Sequence, residues 1–188
     1  MLSIVPSKAD WSTEFKQIAV GLQQGLGRLA LRIDHIGSTA VPGLAAKDVI
    51  DVQVSVAALD EYVIAAMRTL GYRQPAGVWR DHCPPGGPEA EAEWSKLLFV
   101  EPEGQRRMNV HMRVLGRANQ RYALLFRDYL RAHIAMAAAY GQLKQRLAEH
   151  LADAQAYPDV KDPAVDLIYL AAEDWAAATG WQPGPSDA

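Results

Sequence analysis

The chain has 188 residues, 49% of them hydrophobic and 22% charged, with a formal net charge of −3. That length suits one domain with a proper core, and the acidic balance argues against a general nucleic-acid binder. A lone cysteine, Cys83, excludes an internal disulfide and a cysteine-based zinc cluster; with no apolar run near the roughly 18 residues of a membrane span and no signal-peptide pattern, a cytoplasmic protein without a membrane partner is expected.

Met1 to Val5 reads as a short strand ending at Pro6. Asp10 to Leu26 reads as a helix, because Trp11, Phe15, Ile18 and Leu22 recur every three or four residues. Gly25 and Gly27 end it. Strands follow over Leu29 to Ile36 and Asp48 to Val56, then a helix over Leu59 to Leu70 with Gly71 as its stop. Gln74 to Glu93, rich in proline and glycine, is a long loop of the kind that forms functional lids. Lys96 to Val100 and Arg107 to Val114 form a hairpin around Glu101-Pro102-Glu103-Gly104. From Asn119 the pattern is helical: one helix carries the stripe Tyr122, Leu125, Phe126, Tyr129 and Leu130, a second spans Ala139 to Ala152 and a third Pro163 to Thr179. Pro158 and Pro163 mark the break between the last two, and the tail after Gly180 is expected to fray. The expected class is α+β: a core of residues 1–115, whose four strands form one mixed sheet with helices on one face, and a helical part of residues 116–188 packed on the same core.

The chemistry concentrates in the stretch from His35 to Val56. Side chains alternate across a strand, so Ile50, Val52, Val54 and Val56 face one way and Asp51, Gln53 and Ser55 the other. In the later strand Met108, Val110, Met112 and Val114 share one face, leaving Arg107, Asn109, His111 and Arg113 on the second. Aspartate is disfavoured among branched apolar residues in mid-strand, and a buried carboxylate there needs a cation or hydrogen-bond donors. Asp51 is therefore a candidate ligand for a metal or a cationic substrate, with an ion pair to Lys47 or Arg113 as the structural alternative. His35 either orders the turn after it or acts in the site. Arg127 and Arg131 form either a solvated basic ridge or part of the site, and Lys144 and Lys161 stand the same way. Cys83 beside His82 is not a nucleophile–base pair, because adjacent residues rarely present the two groups correctly.

The run His35-Ile36-Gly37-Ser38-Thr39-Ala40-Val41-Pro42-Gly43-Leu44-Ala45-Ala46-Lys47 closely resembles the signature of the GrpB family. Leu70-Gly71-Tyr72, Asn109-Val110-His111, Phe126-Arg127-Asp128-Tyr129-Leu130-Arg131, Tyr140 with Lys144 and Tyr157 with Lys161 extend the resemblance over nearly the whole chain. It implies a nucleotidyltransferase-like (polymerase-β-like) fold, in which a Gly-Ser turn precedes a strand bearing two carboxylates and a later strand supplies a third. Gly37-Ser38 and Asp51 match the turn and the first carboxylate. The second position is Gln53, and the later strand offers His111 rather than an acid. Such a set would hold one divalent ion such as Mg²⁺ weakly, or a softer ion such as Mn²⁺ or Zn²⁺. Members of the family occur fused to dephospho-CoA kinase. This chain lacks the Gly-x4-Gly-Lys-Ser/Thr loop, since the Gly37–Gly43 spacing is one residue too long and Leu44 follows Gly43.

The expected function is binding of a nucleotide or another phosphorylated small molecule, with metal-dependent nucleotidyl transfer as the enzymatic form. There Gly37, Ser38 and Lys47 hold phosphates, with His35, Arg127, Lys144 and Lys161 as further ligand contacts. Asp51 holds the metal, aided by Gln53 or His111, while Arg113 stabilises the charge developing at phosphorus, so that Asp51, His111 and Arg113 form the catalytic set. The alternative is a non-catalytic binding module with a degenerate active site, which Gln53 favours.

Overall fold

The computed structural model describes residues 3–188. Met1 and Leu2 of the first expected strand lie outside the described residues; Val5 makes an isolated antiparallel bridge to Ala46. Helix α1 (Trp11–Leu26) buries Trp11, Phe15, Ala19, Leu22 and Leu26 along one stripe and ends at Gly27. Residues 27–29 form a 3₁₀ turn, so strand β1 (Arg32–Ile36) starts later than its sequence pattern predicts. β2 (Ile50–Val56), helix α2 (Glu61–Thr69), β3 (Leu97–Val100) and β4 (Met108–Val114) complete the first part of the chain. The Asp60 carboxylate caps α2 by accepting from the Tyr62 and Val63 amides, both at 3.1 Å.

The sheet order is β1-β2-β4-β3, with the β2–β4 pair parallel and the two outer pairs antiparallel. This is the expected single mixed sheet. Register aligns Ile36, Asp51 and Asn109 in one row, Asp34, Gln53 and His111 in the next, and Arg32, Ser55 and Arg113 in a third. All three rows point to one face. The opposite face carries Ile33, Ile50, Val52, Val54, Phe99, Val110 and Met112, which form one core with α1 and α2.

Helices cover both faces, not one. Helix α3 (Ala118–Ala132) lies over the polar rows, followed by α4 (Ile134–His150) and α5 (Tyr157–Thr179). These three build a second core from Val41, Leu44, Leu125, Leu130, Ile168 and Ala172. Alternating polarity in β2 and β4 predicts an open face because it counts side-chain type alone; hydrogen bonds to α3 make the covered polar face tolerable. α5 also begins before the expected break. Pro158 occupies its first turn, where a missing N–H costs nothing. Pro163 lies inside the helix on an exposed surface, so the carbonyl of Asp159, which loses its partner, can meet water.

The tail does not fray. Ser186 Oγ donates to the Ile33 carbonyl at 2.6 Å and accepts from the Ile33 amide at 3.1 Å, and Asp187 Oδ2 accepts from the His35 amide at 3.0 Å. Arg32 holds the carbonyls of Gly184 and Pro185. The tail thus satisfies the free edge of β1. No helix among the described residues is long and apolar enough to cross a membrane.

Asp48 fastens α1 to the hairpin. It accepts from Lys8 at 2.7 Å and from the Trp11 indole at 2.9 Å, and it also receives Arg106. The Lys8 hydrogen bond, helped by Trp11 and Arg106 against the opposing effect of burial, lowers its pKa from 3.8 to about 2. A depressed carboxylate stabilises the fold above its unfolded pKa and loses that contribution as pH falls through the folded value. Asp48→Asn is therefore expected to lower the melting temperature at neutral pH. In calorimetric scans, its difference from the parent should shrink as pH falls from about 4 to about 2.

Candidate functional site

A cleft of about 400 Å³ opens between the polar rows, the turn after β1 and the C-terminal helices. Asp51, Asn109, His111 and Arg113 line it from the sheet, Gly37, Ser38 and Lys47 from the β1–β2 connection, and Tyr122, Phe126, Tyr140, Lys144, Tyr157 and Lys161 from the helices. The chain therefore brings together Gly37, Ser38, Lys47, Asp51, His111, Arg113, Lys144 and Lys161 of the predicted residues.

Asp51 sits at the base. It accepts from Asn109 Nδ2 at 2.8 Å, and His111 Nε2 lies 3.6 Å away. Burial favours the neutral acid, but the contacts with His111 and Asn109 outweigh it and hold Asp51 below the usual carboxylate range. Burial lowers the His111 pKa, with the Arg113 and Lys96 charges acting the same way against the pull of Asp51. Among the described residues His111 Nδ1 finds no hydrogen-bond partner. Gly37 has φ of 69°, and a Cβ there would lie 2.5 Å from Asp51 Oδ2. Glycine is thus required twice, by the backbone angle and by the carboxylate against it.

Gln53 shares the sheet face of Asp51 but does not line the cleft. It is fully buried, its carbonyl accepts from Arg113 at 2.7 Å, and its amide donates to the Gln120 carbonyl at 3.2 Å. Arg113 also clamps Asp81 with two bonds of 2.8 and 2.9 Å, while Lys96 Nζ donates to Asp81 at 2.7 Å and Asn119 Nδ2 donates to it at 3.0 Å. Burial would raise the Asp81 pKa, but the Arg113 and Lys96 charges drive it far below the ordinary value. The sequence reading missed Asp81, which lies in a proline- and glycine-rich loop with no periodicity to orient it. That loop is anchored: the Asp81 amide donates to the Trp94 carbonyl at 2.8 Å and the Trp94 indole to the Pro88 carbonyl at 2.7 Å.

The lysines come from three elements. Lys144 Nζ donates to Ser38 Oγ at 2.7 Å and lies 4.7 Å from the Tyr140 ring centre. Burial, reinforced by the Lys161 charge and opposed by Asp51, lowers its pKa to about 7. Lys47 is exposed and lies 4.3 Å from the Tyr157 ring centre; partial burial and then Lys161 lower its pKa as well. Lys161 Nζ meets Asp162 at 3.2 Å.

His35 and Arg127 do not reach the cleft. His35 belongs to the other sheet face, stacked on Phe15 with ring centres 4.6 Å apart and bonded to Thr39 at 3.0 Å. Burial, aided by Arg131, lowers its pKa to about 4, so it is neutral near pH 7. Arg127 is buried, donating to the His35 carbonyl at 3.0 Å and pairing with Asp128 and Asp187. Arg131 donates to the Ala40 carbonyl at 2.9 Å. These residues brace the turn from behind.

The donor set does not fit a magnesium or manganese centre. Among the described residues no three His, Cys, Asp or Glu side chains cluster as a metal site. Asp51 stands alone as an acid in the cleft lining, beside three lysines, with Gln53 committed to Arg113. Hard divalent cations need several oxygen ligands.

A family model described as GrpB protein matches residues 1–170. The chain belongs to the GrpB family. It is 38% identical over 197 residues to a dephospho-CoA kinase of Mycolicibacterium paratuberculosis, covering 96% of this chain and 48% of that protein. A UPF0157 protein of Pseudomonas aeruginosa is 33% identical over 174 residues, covering 89% of this chain and 66% of the other. The crystal structure of the conserved protein GrpB from Enterococcus faecalis superimposes with a TM-score of 0.73 at 28% identity, covering 92% of this chain and 99% of that one. The chain spans about half the length of the dephospho-CoA kinases it matches. The α+β mixed sheet with its helices is consistent with the nucleotidyltransferase-like fold.

Asp81→Asn keeps the shape of the side chain but leaves Arg113 and Lys96 charged, buried and without a counter-charge. Breaking a buried pair on one side costs about 3 kcal/mol or more. Urea unfolding is expected to register a loss of that size.

Proposed function

We propose that the cleft binds a phosphorylated small molecule, with a nucleotide as the class of ligand that fits its lining best. The observation that carries this reading is Lys144. It is a cleft lysine, 3% exposed, whose hydrogen bond goes to a neutral hydroxyl rather than a carboxylate. A buried ammonium without an anion is costly, and an entering phosphate supplies one. Lys47 and Lys161 add charge on the same rim. A phosphate accepts charge-assisted hydrogen bonds from such groups.

The remaining lining suits the rest of a nucleotide. Tyr122, Phe126 and Tyr140 form an aromatic wall, with ring centres 6.4 Å apart for the first pair and 5.8 Å for the second, and aromatic faces stack bases. Ionised Asp51 accepts hydrogen bonds, which suits the hydroxyls of a sugar. The lack of a second carboxylate beside Asp51 favours binding over metal-assisted nucleotidyl transfer, so we read the site as a ligand-binding module. Kinase activity is assigned to relatives about twice as long as this chain, and nothing in the cleft lining supports it here.

Thermal-shift titration with pyrophosphate, ADP and adenosine tests this reading. Pyrophosphate and ADP should stabilise the protein, by about 2.7 kcal/mol at a hundred times the dissociation constant, and adenosine should do less. Lys161→Ala and Lys47→Ala should each weaken pyrophosphate by about 1 to 3 kcal/mol, the range for a charged hydrogen bond. No stabilisation by either phosphorylated probe at millimolar concentration would overturn the proposal.

A further inference from the structure

Ser38 and Lys144 are arranged for more than holding an anion. A serine hydroxyl becomes a nucleophile when a base within hydrogen-bond reach takes its proton, and here Ser38 Oγ and Lys144 Nζ are 2.7 Å apart. A lysine serves as that base when its surroundings favour the neutral amine. Lys144 is buried, set against the Tyr140 ring, and makes no ion pair among the described residues. Ser38 follows Gly37 directly on the tight turn after β1, half-buried and lining the cleft. The nucleophile thus stands on a rigid turn, braced from behind by Arg131 on the Ala40 carbonyl, with its base on a separate helix.

We propose that Ser38 and Lys144 form a nucleophile–base dyad, making the cleft an acyl-transfer site for carboxylic esters that carry a phosphate or similar anionic group. In the first step Ser38 Oγ bonds to the ester carbonyl carbon and its proton passes to the neutral Lys144 amine. The negative charge that develops on the carbonyl oxygen faces a cleft lined by Lys47 and Lys161. The bond to the alcohol oxygen then breaks, and Lys144 returns the proton to the departing alcohol. Water completes the cycle: its oxygen attacks the acyl-serine, its proton goes to Lys144, and Ser38 leaves as the hydroxyl with that proton while the acid is released. Atoms and charge balance with water as co-reactant. The depressed pKa of Lys144, about 7 through burial and Lys161, makes the neutral amine available near pH 7.

The anionic group of the substrate rests on the phosphate-binding reading, whereas the dyad itself does not, so the dyad is probed with an uncharged reagent. Intact protein is treated with phenylmethylsulfonyl fluoride and followed by mass spectrometry with peptide mapping. One adduct per chain is expected on Ser38, with none in Ser38→Ala. Its rate should rise through about pH 7 and level off by about pH 9, as Lys144 loses its proton in the field of Lys161 and Asp51 and beside Tyr140. Lys144→Met should slow labelling at least about tenfold, since general-base help is worth a factor of about 100 or more. The absence of a Ser38 adduct, a rate flat from about pH 6 to 9, or equal labelling of Lys144→Met would each overturn the dyad. Should Lys144→Met fail to fold, the pH profile of the parent decides. Pyrophosphate titration of the same sample reports on anion binding separately, so failure of one proposal is distinguishable from failure of the other.

Discussion

The structure turns on one constraint: the central strands β2 and β4 carry polar side chains on a face that helices cover. Each unpaired buried polar group costs about 1 to 3 kcal/mol, so the polar rows must be matched almost group for group. Arg32 matches Asp34, Arg113 and the Gln120 carbonyl match Gln53, and Asn109 matches Asp51. Arg113 in turn needs Asp81, which draws in Lys96 and the long loop. The layer between sheet and helices is therefore a hydrogen-bonded lattice of charges, and its geometry sets how α3 sits on the sheet. The cleft lies where that lattice runs out. Asp51, His111 and Lys144 line the cleft there and retain bonding capacity toward it.

The site is composite as a result. The sheet and its connecting turn supply Asp51, Gly37 and Ser38, whereas Lys144, Lys161 and the aromatic wall come from helices that build a separate hydrophobic core. Two cores meeting across a polar seam give a binding surface whose chemistry belongs to neither alone. The same arrangement explains the depressed pKa values of Lys144 and Lys47: burial in the cleft disfavours their charged forms, Lys161 adds repulsion, and Asp51 offsets it in part.

Periodicity made much of this legible in the sequence. The stripe Trp11, Phe15 and Leu22 located α1, and the alternation of β2 and β4 assigned their two faces. Period-two reasoning also placed Asp51, His111 and Arg113 on a common side, as the register has them. The same rule applied to β1 puts His35 opposite Asp34 and Ile36, and so away from Asp51; proximity in sequence to the Gly-Ser turn outweighed that signal. Gln53 faces the right way but is claimed by Arg113, a pairing that depends on long-range geometry. Asp81 carried no signal because loops have no repeat. Tyr122 and Phe126 read as core stripe because an aromatic wall of a cleft has the same spacing as a buried helix face. The break placed at Pro163 failed because a helix tolerates proline near its start where water can reach the orphaned carbonyl.

The seal on β1 has a consequence for the chain's behaviour in solution. An uncovered strand edge is a template for another strand, and here Ser186 and Asp187 occupy that template while Asp187 also neutralises buried Arg127. Loss of Ser186 and Asp187 would expose the ladder of β1 and leave buried Arg127 with Asp128 as its remaining acid. Self-association through that edge is thus held off by a handful of residues remote in sequence from it. A cut before Ser186 would therefore open that edge to pairing with another strand.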